Sequence, residues 1–393
     1  MIKIAIFGVA LNSNNYGCSA LGISQIDMLQ KIAVSLDLNV EYHVFSGESS
    51  AILTPLSNYI QTDNIDFEEI VRFRTGLRGI IQLRKAISKC DLVIDLTYGD
   101  SFSDIYGLKN FLLFSVPKYI AIKVKKTLIL GPQTIGPFYS KLAQRVARWI
   151  LRKSQYVFAR DELSSEQTQT LAGRIVDAVT SDLAMELPYI KGEYSIDRKE
   201  GALDIGLNVS RLMWDKNSSN SKLNVSLDYR KLICALIEHL SKQGITVHLI
   251  THVYDRSDYN EYSLACDLHK QYPDTVLAPE FKNPMDAKSY MSELDLFIGS
   301  RMHATIGAFS AGVPVIPISY SRKFEGLYGA TGYDHCIDCS KESVDSALDR
   351  ILEKINLRVQ LEANRKQALK VALNRNSIYN DRLKSVLIQI NNG

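Results

Sequence analysis

The stretch DLFIGSRMHATIGAFSAGVPVIPIS, residues 295–319, decides the fold. Its first apolar run ends at about Gly299, and a helical stretch near 302–311 follows. Gly312 and Pro314 then stop that helix, and residues 315–319 are apolar again. Strands that are apolar on both faces and alternate with helices imply a parallel sheet covered by helices on both sides. Ser300 reads as the N-cap, which puts Arg301 and His303 in the first turn, at the positive end of the helix dipole. Backbone N–H groups, a guanidinium and an imidazole at one point suit a phosphate or a carboxylate. The other reading of the same residues is an Arg and a His that merely cap a core helix.

The rhythm repeats outward from this stretch. Residues 205–209, 247–251 and 294–298 read as strands, with helices near 226–243, 258–271 and 284–292. Residues 188–203 (PYIKGEYSIDRKEGAL) break it. They are polar and contain Pro188, Gly192 and Gly201, as a domain linker does. Before them, residues 2–7, 40–45, 92–96, 127–130, 156–159 and 175–179 read as strands. Helices fall at about 19–36 and near 107–120, 139–153 and 162–172. The end of the chain, from about 342, is mostly helical and is expected to pack back across the domain junction. The expected fold class is therefore α/β, with two Rossmann-like domains facing one another across a cleft. The expected bounds are 1–190, 200–345 and, for a C-terminal helical extension, 346–393.

The chain has 393 residues, enough for two or three domains at roughly 150 residues each. A hydrophobic fraction of 46% and a charged fraction of 23% exclude a disordered chain, a fibrous repeat and a disulfide-rich miniprotein. Lys plus Arg is 46 and Asp plus Glu is 43, a balance too even for a dedicated nucleic-acid binder. Of the six cysteines only Cys336 and Cys339 have CxxC spacing, and no second pair completes a zinc site. No metal is expected, and the cysteines read as reduced thiols of a cytosolic protein. The N-terminus runs straight into a strand and lacks the cleavage frame of a leader peptide. The most apolar stretch, 111–130, is broken by Lys118, Lys123, Lys125 and Lys126, so it reads as no membrane span.

Ligands of open parallel sheets bind beyond the carboxyl ends of strands, so the loops there are where chemistry is expected. After 315–319 come Arg322, Lys323 and Glu325, opening another helix. Two adjacent basic helix starts favour an anionic ligand over a solvated turn. After the first strand, residues 12–19 (NSNNYGCS) tolerate left-handed backbone and close approach to a ligand. Residues 97–104 (TYGDSFSD) carry Asp100 and Asp104 with hydroxyls between them. Residues 131–137 (GPQTIGP), with Gln133, are stiffened by two prolines. Together these loops give the first domain a polar rim fit for a neutral polyol, although each also reads as an ordinary turn. Arg160 precedes the helix start Asp161-Glu162 and either points towards a ligand or belongs to the cap. Between Ile105 and Arg160 there is no Asp or Glu among eleven Lys and Arg, counting Arg160 itself. Residues 139–153, with Arg145, Arg148, Arg152 and Lys153, form an amphipathic helix pattern. This basic excess suits an anionic membrane surface or a pyrophosphate-linked substrate, or is a solvated face.

The motif SRMHATIGAFSAGVPVIPISYSRKFEGL (300–327) resembles the signature of the polysaccharide pyruvyl transferase family. NNYG (14–17), GPQTIGPF (131–138), RDELS (160–164) and SDLAMEL (181–187) resemble its further motifs, in the family's order. The resemblance implies a two-domain fold like that of GT-B glycosyltransferases. It implies transfer of the enolpyruvyl carbons of phosphoenolpyruvate onto two hydroxyls of one sugar, forming a cyclic pyruvate ketal. Residues 1–190 would then be the acceptor side and 200–345 the phosphoenolpyruvate side. The family's signature Arg, His and Lys match Arg301, His303 and Lys323. Donor contacts are expected from Arg301, Lys323, Arg160 and the N–H groups of the helix N-terminus, and further substrate contacts from Ser300, Asn14, Tyr16, Gly17 and Gln133. His303 is the expected acid that protonates the donor's methylene carbon, an imidazole being the side chain that ordinarily titrates near neutrality. Asp100 and Asp104 are the candidate bases. The activated group travels with the donor, so no cofactor is expected.

The expected partners are phosphoenolpyruvate, a glycan, lipid-linked oligosaccharide or sugar acceptor, and an anionic membrane met peripherally. The expected place is the cytoplasm, at the inner face of the membrane. Two other readings share the fold. One is a glycosyltransferase using a nucleotide sugar, with Glu280 or Glu325 on the ribose. The other is a non-catalytic glycan-binding protein.

Overall fold

The computed structural model describes residues 1–393 except 47, 70–75, 216–224, 255–259 and 321. For residues 68, 69, 77, 322, 323 and 325 it describes the backbone alone. The chain divides into two compact units, neither of them continuous in sequence. Unit 1 comprises Met1–Ser13, Cys18–Pro188 and Ala372–Gly393, and unit 2 comprises Asn14–Gly17 and Tyr189–Val371.

Unit 1 alternates strand and helix: β1 (Ile2–Phe7), α1 (Tyr16–Ser35), β2 (Val40–Ser46), β3 (Ile65–Glu69), α2 (Leu77–Lys89), β4 (Leu92–Asp95) and α3 (Leu108–Lys123). It continues with β5 (Thr127–Gln133), α4 (Lys141–Lys153), β6 (Tyr156–Ala159), α5 (Glu162–Ala172) and the two-residue β7 (Ala178–Val179). The seven strands lie in the order β3-β2-β1-β4-β5-β6-β7, and all pairs are parallel. The central strands are buried on both faces, which is why they read as unbroken apolar runs. Helix α4 starts where Ser140 accepts from Ala143 N, and α5 where Asp161 accepts from Ser164 N. Gly173, at φ 65°, ends α5 in the left-handed conformation that favours glycine. The sequence reading passed over β3 and α2. β3 is an acid-laden edge strand (IDFEE), and α2 begins after Gly76 with no capping side chain.

Unit 2 repeats the plan with β8 (Asp204–Asn208), α6 (Arg211–Trp214), α7 (Tyr229–Lys242), β9 (Thr246–Leu249), α8 (Glu261–Gln271), β10 (Val276–Leu277) and α9 (Pro284–Met291). Then come β11 (Leu296–Gly299), α10 (Met302–Ser310), β12 (Val315–Ser319), α11 (Arg322–Gly329), β13 (Ile337–Asp338), α12 (Val344–Asn356) and α13 (Arg358–Asn392). The strand order is β10-β9-β8-β11-β12-β13, again wholly parallel. Its core joins Ile205, Leu207, Ile298, Ile316 and Ile318 to Leu232, Leu236 and Leu240 of α7 and to Ile351 of α12.

The α/β class with two parallel sheets agrees with the sequence reading. The last helix serves both units. Its part up to Val371 belongs to unit 2, where Arg365 donates to Phe309 O at 3.1 Å. The remainder belongs to unit 1, where Tyr379 is buried against Phe158 and donates to Gln25 Oε1 at 2.6 Å.

Candidate functional site

In unit 2 the strand order reverses between β8 and β11, which is where open α/β sheets bind ligands. Asn208, the last residue of β8, organises this place with one buried amide. Its Oδ1 accepts from Arg301 N at 3.0 Å, its Nδ2 donates to Ile250 O at 2.9 Å, and its carbonyl accepts from Ser300 N at 3.2 Å. The turn from β11 into α10 is thereby tied to β8 and to the end of β9. Ser300 does not cap α10, contrary to the sequence reading. Arg301 holds the N-cap position, and the Ser300 hydroxyl is buried 2.6 Å from Tyr229 Oη. Asn208 holds the backbone of residues 300 and 301 outside the helix, and the serine hydroxyl is turned to Tyr229.

Arg301 is gripped from behind. Its Nε donates to Glu261 Oε1 at 2.7 Å, and Glu261 is buried at the start of α8. The same oxygen accepts from Arg211 N at 3.0 Å. Burial pushes the Glu261 carboxyl above its usual range, against the pull of Arg301. Burial works the other way on Arg301, but Glu261 outweighs it and holds the guanidinium charged. Glu261 Oε2 is buried with no hydrogen-bond partner among the described residues.

His303 lies in the first turn of α10 and packs on Gly17 of the N-terminal segment. A Cβ on residue 17 would stand 2.3 Å from His303 Nδ1 and 2.6 Å from its Cγ, so only glycine fits. Residues 14–16 are held there by strand-like pairing. Tyr254 N donates to Asn14 O at 2.7 Å, Tyr16 N to His252 O at 3.3 Å, and Asn15 bridges Val253 antiparallel. Gly17 N donates to Asn15 Oδ1 at 3.2 Å, and the Tyr16 hydroxyl donates to Phe281 O. The Tyr16 ring meets His252 edge-on, with centroids 5.5 Å apart. His252 is buried, and that burial, aided by the positive potential of His303 and Arg301, pulls its pKa down to about 3. It is therefore a neutral imidazole.

Unit 2 thus brings together Asn14, Tyr16, Gly17, Ser300, Arg301 and His303. It adds Asn208, His252 and Glu261, which the sequence reading did not single out. The signal for His252 was present: residues 251–254 (THVY) follow β9 as the other loops follow their strands. Lys323 belongs to α11, but its side chain falls outside the described residues.

The remaining candidates lie in unit 1, each in its own setting. Arg160 follows β6 and is buried, with Nη1 3.1 Å from Asp182 Oδ2. Asp182 comes from the SDLAMEL motif, and the loop that carries it is fastened by Asn376, whose Oδ1 accepts from Ser181 N at 2.8 Å. Gln133 is buried at the end of β5, donating to Asp95 O at 2.9 Å and Gly131 O at 3.2 Å, with Oε1 unpartnered among the described residues. Asp100 accepts from the Tyr106 hydroxyl at 2.9 Å. Asp104 accepts from Tyr139 N at 2.7 Å and Ser140 N at 2.8 Å. Burial raises its carboxyl, but these bonds outweigh burial and hold it below the usual carboxylate range. Both oxygens fasten a turn, which makes Asp104 a poor proton acceptor.

Among the described residues no helix is long and apolar enough to cross a membrane. The chain is similar to the amylovoran biosynthesis protein AmsJ of Erwinia amylovora, 23% identical over 288 residues that cover 70% of this chain and 67% of that one. Among solved structures it is similar to the UDP-GlcNAc 2-epimerase of Neisseria meningitidis bound to UDP-GlcNAc, with a TM-score of 0.59, 11% identity and 99% of each chain covered. It is also similar to the Anabaena protein HepE in complex with UDP and glucose, with a TM-score of 0.58, 13% identity, and 98% of this chain and 99% of that one covered. At such identities these two likenesses concern the fold, which is of the GT-B type. The model of the family described as polysaccharide pyruvyl transferase matches residues 15–322, from the Asn15-Tyr16-Gly17 segment through the Arg301–His303 turn, and the chain belongs to that family.

Proposed function

We propose that this protein transfers the enolpyruvyl carbons of phosphoenolpyruvate onto two hydroxyls of one sugar in a cell-envelope or capsular glycan, forming a cyclic pyruvate ketal. One observation carries the reading. Two family motifs far apart in the chain meet within unit 2, so that the His303 imidazole lies on the bare Cα of Gly17 next to the turn that carries Arg301.

Arg301 binds the donor's phosphate or carboxylate with the part of its guanidinium that Glu261 leaves free. Lys323 adds charge from the next helix start. His303 delivers a proton to the methylene carbon, and the central carbon becomes electrophilic. A sugar hydroxyl adds there and forms the first C–O bond. The carbon–oxygen bond to phosphate then breaks, a second hydroxyl adds, and inorganic phosphate leaves. The two hydroxyl protons are accounted for: one replaces the proton given to the methyl carbon, and one departs with phosphate. In unit 1, Asp100 is the better base, because the oxygens of Asp104 already hold Tyr139 and Ser140. Both Arg160 and Arg301 are paired with a carboxylate, but Arg160 is the more deeply buried and so the weaker donor-binding cation. The reaction takes place in the cytoplasm.

The test is phosphate release from phosphoenolpyruvate that depends on a glycan acceptor bearing a free diol, with the product read by mass spectrometry. His303→Ala is expected to lower turnover by ~10²–10⁴-fold. Calorimetry should show that the variant still binds phosphoenolpyruvate. Near-normal turnover in that variant removes His303 from the role. Release of a nucleoside diphosphate from a nucleotide sugar, with none of phosphate from phosphoenolpyruvate, would place the chain with glycosyltransferases instead.

A further inference from the structure

The turn fastened by Asp104 builds an unusual surface on unit 1. Asp104 draws the loop that follows it against the start of α4 through Tyr139 N and Ser140 N. Ile105 and Tyr106 of that loop are 54% and 52% exposed, and Tyr139 and Leu142 at the start of α4 are 70% and 47% exposed. Four large, largely apolar side chains so close together in water need a reason. Along α4 the spacing puts Leu142, Val146 and Trp149 on one stripe. Trp149 packs against exposed Tyr119 of α3, with ring centroids 5.2 Å apart, and Lys123 Nζ lies 5.5 Å from the Tyr119 ring.

Cations frame the stripe. Lys109, Lys123, Lys141 and Arg145 are exposed, and there is no acid between Ile105 and Arg160. Asp100, which accepts from Tyr106, and Asp104 are the acids at its margin. Two more cations of α4, Arg148 and Arg152, are exposed but tethered. Arg148 and Arg152 donate to Leu171 O at 2.8 Å and Ala172 O at 2.7 Å, closing the end of α5.

We propose that this surface docks on the face of an anionic lipid bilayer. Ile105, Tyr106, Tyr139 and Leu142 enter the headgroup region, and Lys109, Lys123, Lys141 and Arg145 meet lipid phosphates. Tyrosine and tryptophan suit a boundary that is apolar on one side and wet on the other. Lysine stems cover apolar surface while their charges reach outward. Charge complementarity and exposed apolar side chains are the two ingredients of reversible attachment to a membrane surface. The proposal does not depend on the donor, since an enzyme using another donor would keep this surface.

The test is co-sedimentation of the full chain with vesicles of phosphatidylcholine alone and of phosphatidylcholine mixed with phosphatidylglycerol. Binding is expected only to the mixed vesicles, and added salt should weaken it. The pair Lys141→Glu and Arg145→Glu should lower binding by about tenfold or more. The pair Tyr139→Ser and Leu142→Ser should remove what survives in salt. In a Trp214→Phe background, Trp149 emission should shift to the blue on binding, a readout that a folding defect does not mimic. Both pairs should retain phosphate release with a soluble acceptor, which separates this proposal from the reaction. Equal sedimentation with both vesicle types, or no loss in either pair, would overturn it. So would a concentration-dependent dimer abolished by Leu142→Glu, which would assign the surface to a second copy of the chain.

Discussion

The two sheets reverse their strand order at the same topological place, yet the two places are filled in opposite ways. In unit 2, between β8 and β11, the cation is Arg301, 23% exposed and braced by buried Glu261. In unit 1, between β1 and β4, backbone seals the place. Tyr98 N donates to Gly8 O at 2.6 Å, and a Cβ on Gly8 would lie 2.2 Å from Thr97 N. Thr97 and Tyr98 hold φ of 41° and 53°, conformations that side-chain-bearing residues rarely adopt. The cation there, Lys118, is fully buried, with Nζ 2.8 Å from Asp95 Oδ1 and 2.9 Å from Phe114 O. Burial lowers the Lys118 pKa, and Asp95 offsets part of that. Topology supplies a place for a ligand. Whether the charge there is left open or sealed decides between chemistry and structure.

The comparison breaks most visibly at Lys118. Lys118→Met would leave the buried Asp95 carboxylate without a countercharge, held only by the Thr97 hydroxyl, and stability should fall by ~3–5 kcal/mol. Adding Asp95→Leu should restore most of it in thermal melts. A melting point unmoved by Lys118→Met would mean that the pair is not structural.

The glycines sharpen the contrast next. Gly17→Ala pushes the His303 ring out of place, and turnover should drop by ~10²-fold, as for a reacting group displaced by about 1 Å. Gly8→Ala should show its damage in stability. Equal activity of Gly17→Ala and the parent would detach His303 from that backbone.

Glu261→Gln keeps the shape behind Arg301 and removes the charge, so phosphoenolpyruvate affinity should fall by about tenfold, in line with one charge-assisted hydrogen bond. Calorimetry reads this. Turnover lost with no change in affinity would contradict the bracing role.

The smallest effect is in pH. The His252 pKa falls from the ordinary 6.5 to about 3 in the folded chain, so the unfolded chain binds the extra proton first. Stability therefore declines as the pH drops through about 6.5, by no more than about 1 kcal/mol between pH 7 and pH 6. Denaturant titrations of the parent and of His252→Gln should differ in that slope. Parallel curves would place His252 in water.

Much of this was legible in the sequence because buried parallel strands are apolar runs. The strands 2–7, 156–159 and 315–319 were read with the bounds that the structure gives. Arg301 and His303 were legible because a strand, a polar turn and a stopped helix lie consecutively in 295–314. Three residues show where local reading ended. Glu261 looks like an ordinary helix start until Arg301 arrives from forty residues further on. His252 draws its character from burial and from its neighbours. The Ser300 cap failed because Asn208, on another strand, fixes the turn through Ser300 N and Arg301 N, and Tyr229 takes up the serine hydroxyl.

The position of residues Ala372–Gly393 bears on how the chain comes to be folded during synthesis. They complete unit 1, where Asn376 fastens Ser181 and Tyr379 fills a slot beside Phe158 and Gln25, yet they are translated after all of unit 2. The usual order, in which the N-terminal domain finishes while the ribosome is still at work, is closed to this chain. Unit 1 must leave the ribosome with an open seat for a helix that has not yet been made, and the long interval before it closes is when the nascent chain most needs protection from aggregation.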